Sequence, residues 1–224
     1  MPRSQAPEIM DDPGQSEADF DAALADLARI NRMTFATAPL LRFLDRVAVN
    51  GQPLSVLDVG AGGGDALRAI AAWGARRGQA LDLWGLDRSP WAARHAAAHS
   101  TPARWITADL FDLPADRRFD VIVCGLFAHH LDDATLVRFL RWLPAHAARA
   151  WLILDLHRHP IPWAAVWAGT RLLRMHPMVC HDGPVSIARG FRRADWSRLI
   201  AEAGVVARPR WVLPFRWAVE GPGG

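Results

Sequence analysis

Leu54-Ser55-Val56-Leu57-Asp58-Val59-Gly60-Ala61-Gly62-Gly63-Gly64-Asp65 is the stretch that decides the fold. An apolar run ends in an acid, glycines recur at every second position, and an apolar-patterned helix follows. A buried parallel strand hands over to a helix in this way when the connecting loop must touch a ligand. Glycine permits positive φ and leaves no Cβ between backbone and ligand, and the helix behind the loop offers free N–H groups. Asp58, ahead of the first glycine, narrows the choice of ligand. A carboxylate there repels a pyrophosphate and welcomes a cationic amino-acid group.

Outward from this stretch, short apolar runs alternate with helical patterns. Strands are expected over 56–59, 81–86, 104–107, 119–124 and 150–156, with helices over 65–77, 90–99 and 134–143 between them. The 150–156 run is almost wholly apolar, as in a strand buried on both faces. Such alternation predicts an α/β chain with a mostly parallel sheet and helices on both faces. A further helix is expected over 191–203, stopped by Gly204, then strands over 205–213 and 215–219 around Pro214. So short a link forces those two strands antiparallel and brings the sheet to seven strands.

Residues 1–16, rich in Pro, Asp, Gln and Ser, read as a disordered tail ahead of a single domain over 17–220. Two helices over 17–49 are candidates for a cap on the site or a contact in a homodimer. Residues 157–190 fit no sheet element and form an insertion past the fifth strand, on the side where open α/β sheets bind ligands.

The composition excludes several chemistries. The 224 residues contain no tyrosine and no lysine, which removes a P-loop lysine, a Schiff-base lysine and a tyrosine–lysine dehydrogenase pair. The net charge is +3 with scattered arginines, so no nucleic-acid face is expected. Cys124 and Cys180 are too few and too far apart for a zinc motif or a disulfide framework, consistent with a cytoplasmic location. The first residues are polar and acidic, unlike a signal peptide, and no apolar stretch reaches the roughly 20 residues that span a bilayer.

Two more acids give the glycine loop its context. Asp87 ends the second strand, where a carboxylate can accept from both ribose hydroxyls. Asp109 ends the third, within reach of an adenine amino group. Each alone reads as a solvated strand end or helix cap; three on successive strands describe a site for an adenosine that is cationic and free of phosphates. Leu57-Asp-Val-Gly-Ala-Gly-Gly-Gly-Asp65, Gly85-Leu-Asp-Arg88, Ala108-Asp-Leu110 and Phe119-Asp-Val-Ile-Val123 resemble the ordered motifs of class I S-adenosylmethionine-dependent methyltransferases. The resemblance covers roughly residues 30–220. It implies a Rossmann-like fold, with S-adenosyl-L-methionine as cofactor. It further implies Asp58, Gly60, Ala61 and Gly62 beside the methionine part, Asp87 and Arg88 at the ribose, and Asp109 and Leu110 at the adenine. Cys124 and Gly125 would lie below the sulfonium.

Gly125-Leu-Phe-Ala-His129-His130-Leu131-Asp132-Asp133 follows the fourth strand, facing the transferred methyl. A hydroxyl acceptor must lose a proton, and histidine suits that task near neutral pH. The resemblance to small-molecule methyltransferases suggests His129 as base, Asp155 as its orienting acid and His130 as a supporting residue. The plainer alternative is that the histidines fix the loop. No metal site is expected, since no histidine pair has the spacing and acid context for one. His157 and His159 read as loop-bonding residues, and His181-Asp182-Gly183-Pro184 as a turn with an internal His–Asp contact. Trp163, Trp167 and 172–175 read as a helix packed on one face and lining an acceptor pocket on the other, with a membrane contact as a third reading.

The expectation is a methyltransferase of secondary metabolism acting on a small apolar or aromatic acceptor, with transfer to a phenolic or other hydroxyl oxygen. Transfer to carbon or nitrogen is the alternative, and a non-catalytic partner protein with the same fold a second. No nucleic-acid partner and no stable membrane insertion are expected.

Overall fold

The computed structural model describes residues 3–12 and 14–224. Its centre is a seven-stranded sheet in the order β3-β2-β1-β4-β5-β7-β6. The strands are β1 (Leu54–Val59), β2 (Leu81–Asp87), β3 (Arg104–Thr107), β4 (Phe119–Gly125), β5 (Ala147–Leu156), β6 (Arg208–Val212) and β7 (Arg216–Pro222). β1 to β5 are parallel, and β7 runs antiparallel to both β5 and β6.

The strand order explains the burial pattern. β1, β4 and β5 are central, and Val56, Leu57, Val121, Ile122, Leu152 and Ile153 are buried whichever face they point to. Each such side chain contributes about 1.5–3 kcal/mol when withdrawn from water. Between the strands run α3 (Asp65–Arg77), α4 (Pro90–Ala98), α5 (Asp133–His146) and α8 (Arg193–Ala203). One core packs Leu136, Phe139, Leu140, Trp196 and Leu199 against one face, and the other packs Leu67, Ile70 and Trp73 with Leu40, Phe43 and Leu44 from ahead of the sheet.

Ahead of the sheet lie α1 (Glu17–Met33) and α2 (Ala38–Val47). Ser16 caps α1 by accepting the Asp19 amide, a contact typically worth about 1 kcal/mol. α1 reaches the glycine loop, with Leu24 against Gly62 and Gly63. Phe20 packs against Trp91 of α4 with ring centroids 5.5 Å apart and planes tilted by 57°.

The 157–190 insertion forms two helices, α6 (Pro160–Leu172) and α7 (Pro177–Arg189). The His181–Pro184 segment, expected as a turn, lies inside α7. Two contacts let the helix run through Gly-Pro. Gly183 sits where a Cβ would meet Val166 of α6 at 2.7 Å. The Cys180 carbonyl, deprived of a donor by Pro184, accepts instead from Arg171 Nη1 at 3.3 Å. The internal contact is present, at 2.7 Å between His181 Nδ1 and Asp182 Oδ1. α6 differs from the packed helix expected: Thr170 is its one buried residue, while Ile161, Trp167 and Leu172 are exposed.

The segment expected to be disordered is also different. Ile9–Asp11 forms a 3-10 turn, and residues 3–12 are tied down as a strap. The Ser4 amide donates to Ala188, and the Ile9 and Met10 amides donate to the two Asp182 carboxylate oxygens at 2.8 and 2.9 Å. Met1, Pro2 and Pro13 of that expectation lie outside the described residues. Among the described residues no helix is long and apolar enough to cross a membrane.

Candidate active site

Register brings the acids and histidines to one edge. Asp58 lies beside Gly85 and Val123, Asp87 beside Thr107, and Gly125 beside Leu154. The carboxyl ends of the five parallel strands therefore form one rim, and every residue singled out for the cofactor or catalysis stands on it or on a loop leaving it.

The glycine loop folds back on β2. The Gly60 and Ala61 amides donate to the Leu86 carbonyl, and the Gly62 amide donates to Asp87 Oδ2 at 2.9 Å. Gly60 has a φ of 69°, and a Cβ there would meet the Phe127 ring at 2.6 Å. Both facts demand glycine.

Asp58 is buried, and burial, then the Asp87 and Asp65 carboxylates, push its pKa up to about 8. No hydrogen bond enters that balance. A buried carboxylate surrounded by like charge is a receptor for a cation, as the ammonium and sulfonium of S-adenosylmethionine require. Burial also raises Asp87, while the Ser89 and Gly62 amides pull it back. Each Asp87 oxygen keeps a lone pair for a ribose hydroxyl. Asp109 is exposed and caps the turn Leu110–Asp112 by accepting the Phe111 amide at 2.9 Å. Leu110 is buried beneath it. Arg88, exposed, pairs with Asp11 of the strap at 3.5 Å. Nothing stands within 4 Å of where a Gly125 side chain would begin, so the floor past β4 is open. Cys124 is buried, its thiol held protonated by burial and by the Asp155 and Asp58 charges. The donor set fits the cofactor.

His129 and Asp155 form a buried pair. His129 Nδ1 lies 2.8 Å from Asp155 Oδ1, and the His129 amide donates to Oδ2 at 3.1 Å. Burial alone would raise Asp155, but the His129 charge and hydrogen bond, with the Leu156 and His129 amides, hold it below the usual carboxylate range. An ionised Asp155 only accepts, so His129 Nδ1 carries a proton toward it and Nε2 is the ring's outward nitrogen. His130 repeats the arrangement, with Nδ1 2.9 Å from Asp11 Oδ2. The two rings lie 4.4 Å apart at 35°.

The strap supplies residues that composition concealed. Glu8, 5% exposed, lies with Oε1 3.6 Å from His129 Nε2 and Oε2 3.8 Å from His130 Nε2. Ser186 donates to Oε2 at 2.9 Å, and Oε1 has no hydrogen-bond partner. Burial pushes Glu8 up to about 6, partly offset by His130, Ser186 and Arg189. Arg189 clamps the assembly: it donates to the carbonyls of His129, His130 and Ala6 at 3.0, 2.8 and 2.9 Å. Arg3 reaches the Leu131 carbonyl at 2.7 Å and Asp133 at 2.6 Å. Arg216 is a second residue sequence reading missed; buried near Asp155, it bonds Thr34 and leaves Nε without a partner. The remaining insertion histidines are structural. His159 accepts the Ile161 amide, His176 the Met178 amide, and His157 the Trp211 indole.

The strand order and the acids at the strand ends define the class: the fold of the class I S-adenosylmethionine-dependent methyltransferases. Residues 56–148 match the family model described as a methyltransferase domain. Among solved structures it is similar to a Nostoc punctiforme protein assigned as an O-methyltransferase, at 16% identity and a TM-score of 0.65 over 98% of this chain and 64% of that one. The chain thus spans less than two thirds of that relative's length. It is similar to the plantazolicin methyltransferase BpumL bound to S-adenosylhomocysteine, at 13% identity and a TM-score of 0.67 over 96% and 91% of the two chains. The Synechocystis magnesium protoporphyrin IX methyltransferase with bound S-adenosylmethionine matches at 14% identity and a TM-score of 0.57 over 96% and 88%. Likeness at these identities establishes the fold. No curated protein matches the chain in sequence.

Proposed function

We propose that the chain is an S-adenosylmethionine-dependent methyltransferase that methylates a hydroxyl oxygen of a small, apolar, aromatic acceptor in the cytoplasm. The observation that carries this reading is the His129–Asp155 pair, buried on the same strand edge as the Asp58 loop. When bound, the cofactor supplies an electrophilic methyl on a sulfonium and leaves as S-adenosylhomocysteine.

The protein's own residues do the rest. Asp58 takes the positive end of the cofactor, and Asp87, Asp109 and Leu110 take the nucleoside. Rate comes largely from holding the acceptor oxygen in line with the methyl–sulfur bond. With the cofactor bound, His129 Nε2 would take the proton of the acceptor hydroxyl as its oxygen is methylated. Asp155 stabilises the resulting imidazolium and keeps the ring oriented. The balance is one methyl ether and one proton, passed from His129 to solvent.

An apolar acceptor is supported by the rim. Phe35, Ile161 and Leu213 are exposed at 76%, 59% and 73%. Phe35 follows Thr34, which bonds Arg216 at the carboxyl end of β5; Ile161 lies in the first turn of α6 after β5, and Leu213 follows β6. Solved relatives named for O-methylation, a porphyrin and plantazolicin support a small-molecule acceptor class.

The test is a mass-shift screen of phenolic acceptors with S-adenosylmethionine. The reading expects a gain of one methyl on oxygen, and kcat falling about 10²–10⁴-fold in His129→Gln. Near-wild-type turnover in both His129→Gln and His129→Ala would remove His129 as base.

A further inference from the structure

Three potential ligand atoms converge at the end of β4. Asp155 and Asp11 each hold a histidine by Nδ1, at 2.8 and 2.9 Å, so the Nε2 atoms of His129 and His130 both point away from these carboxylates. Both face Glu8, and one ligand atom from each of the three residues lies within 4.8 Å of the others. Glu8 Oε1 is buried and without a hydrogen-bond partner. Such a point calls for a cation.

We propose that Glu8, His129 and His130 bind a divalent transition-metal ion of the zinc class, which locks the strap of residues 3–12 across the active site. Two imidazoles and a carboxylate are a ligand set that zinc favours. Tetrahedral ligands at about 2.0 Å from the metal lie about 3.3 Å apart. His129 Nε2 lies 3.6 Å from Oε1 and His130 Nε2 3.8 Å from Oε2, and the three ligand atoms lie within 4.8 Å of one another, so binding draws them together by up to about 1.5 Å. Each ligating histidine already donates its other nitrogen to a carboxylate, the arrangement that fixes tautomer and direction in metal centres. Arg189 Nε, 3.7 Å from Glu8 Oε1, opposes a cation. Its single Nε–H is already donated to the His129 carbonyl, which turns it away from Glu8.

The site exists only with the strap in place, because Glu8 belongs to the strap and both histidines to the loop after β4. Metal binding therefore stabilises closure by mass action. It also takes the His129 lone pair, so the ion and an acceptor proton compete for one atom. That last consequence rests on the methyltransferase reading; the binding does not.

The experiment is Zn2+ titration by calorimetry of the chelator-treated full chain, with limited proteolysis of the strap in parallel. Expected are one Zn2+ per chain at micromolar or tighter affinity and at least tenfold slower cleavage within residues 3–12. Glu8→Gln and His130→Gln should each weaken binding tenfold or more, with circular dichroism reporting an intact fold. If either variant fails to fold, Co2+ on the wild-type chain gives the answer through the d–d bands of a nitrogen- and oxygen-ligated, four- or five-coordinate ion. No stoichiometric Zn2+, an octahedral Co2+ spectrum, or unchanged affinity in folded Glu8→Gln would overturn the site. S-adenosylmethionine titrated separately keeps this outcome distinct from failure of the methyltransferase reading.

Discussion

At Asp58 function and stability oppose each other. Its pKa is pushed from 3.8 up to about 8 by burial and by Asp87 and Asp65. Between those values the folded chain holds a proton that the unfolded chain has lost. Stability from this group therefore falls as pH rises from about 4 to about 8. Asparagine cannot ionise, so Asp58→Asn should raise the Tm of the ligand-free protein at pH 8.5. A gain of about 1 kcal/mol corresponds to about 2–4 °C in a domain of this size. The same variant should lose S-adenosylmethionine binding; a lower Tm by scanning calorimetry would contradict the argument. Gly60→Ala should also abolish binding, since it meets both positive φ and the Phe127 ring. The three acids could be read from sequence because each ends an apolar run. Glu8 could not: nothing in Gln5-Ala-Pro-Glu8 announces that its carboxylate is buried against histidines 121 and 122 positions away.

Among the elements, the strap and α7 act as a unit. Asp182 accepts both the Ile9 and Met10 amides, and hydrogen bonds to a charged acceptor are worth about 1.5–3 kcal/mol. Asp182→Asn keeps one acceptor oxygen and turns the other into a donor. Amide exchange at Ile9 and Met10 should accelerate about tenfold or more while that at Val56 and Leu57 stays unchanged. Unchanged strap exchange by mass spectrometry would show that Asp182 does not hold it. Sequence patterning located the central β1, β4 and β5 because a strand buried on both faces needs a nearly unbroken apolar run. It mistook the His181–Pro184 segment because Gly-Pro breaks isolated helices. The compensation by Val166 and Arg171 comes from α6, which no local window contains.

Across the whole molecule, the order β3-β2-β1-β4-β5-β7-β6 turns local signals into one site. Parallel pairing puts the carboxyl ends of β1 to β5 on the same edge, so acids separated by 29 and 22 residues face a single ligand. A ligand that binds only the folded chain stabilises it by about 2.7 kcal/mol at 100 times its Kd. S-adenosylmethionine at that excess should raise the Tm by about 5–10 °C. NADH should leave it unchanged, because its pyrophosphate would lie against Asp58.

The most direct measurement is titration calorimetry of S-adenosylmethionine into wild-type protein and Asp58→Asn, at pH 7 in buffers of different ionisation enthalpy. With its pKa near 8, Asp58 holds a proton at pH 7. A cation arriving beside it should expel that proton. The predicted result is one-to-one binding with release of up to about one proton in the wild type, and loss of both in the variant. Binding of NADH in place of S-adenosylmethionine, or S-adenosylmethionine affinity unchanged by Asp58→Asn, would contradict the account.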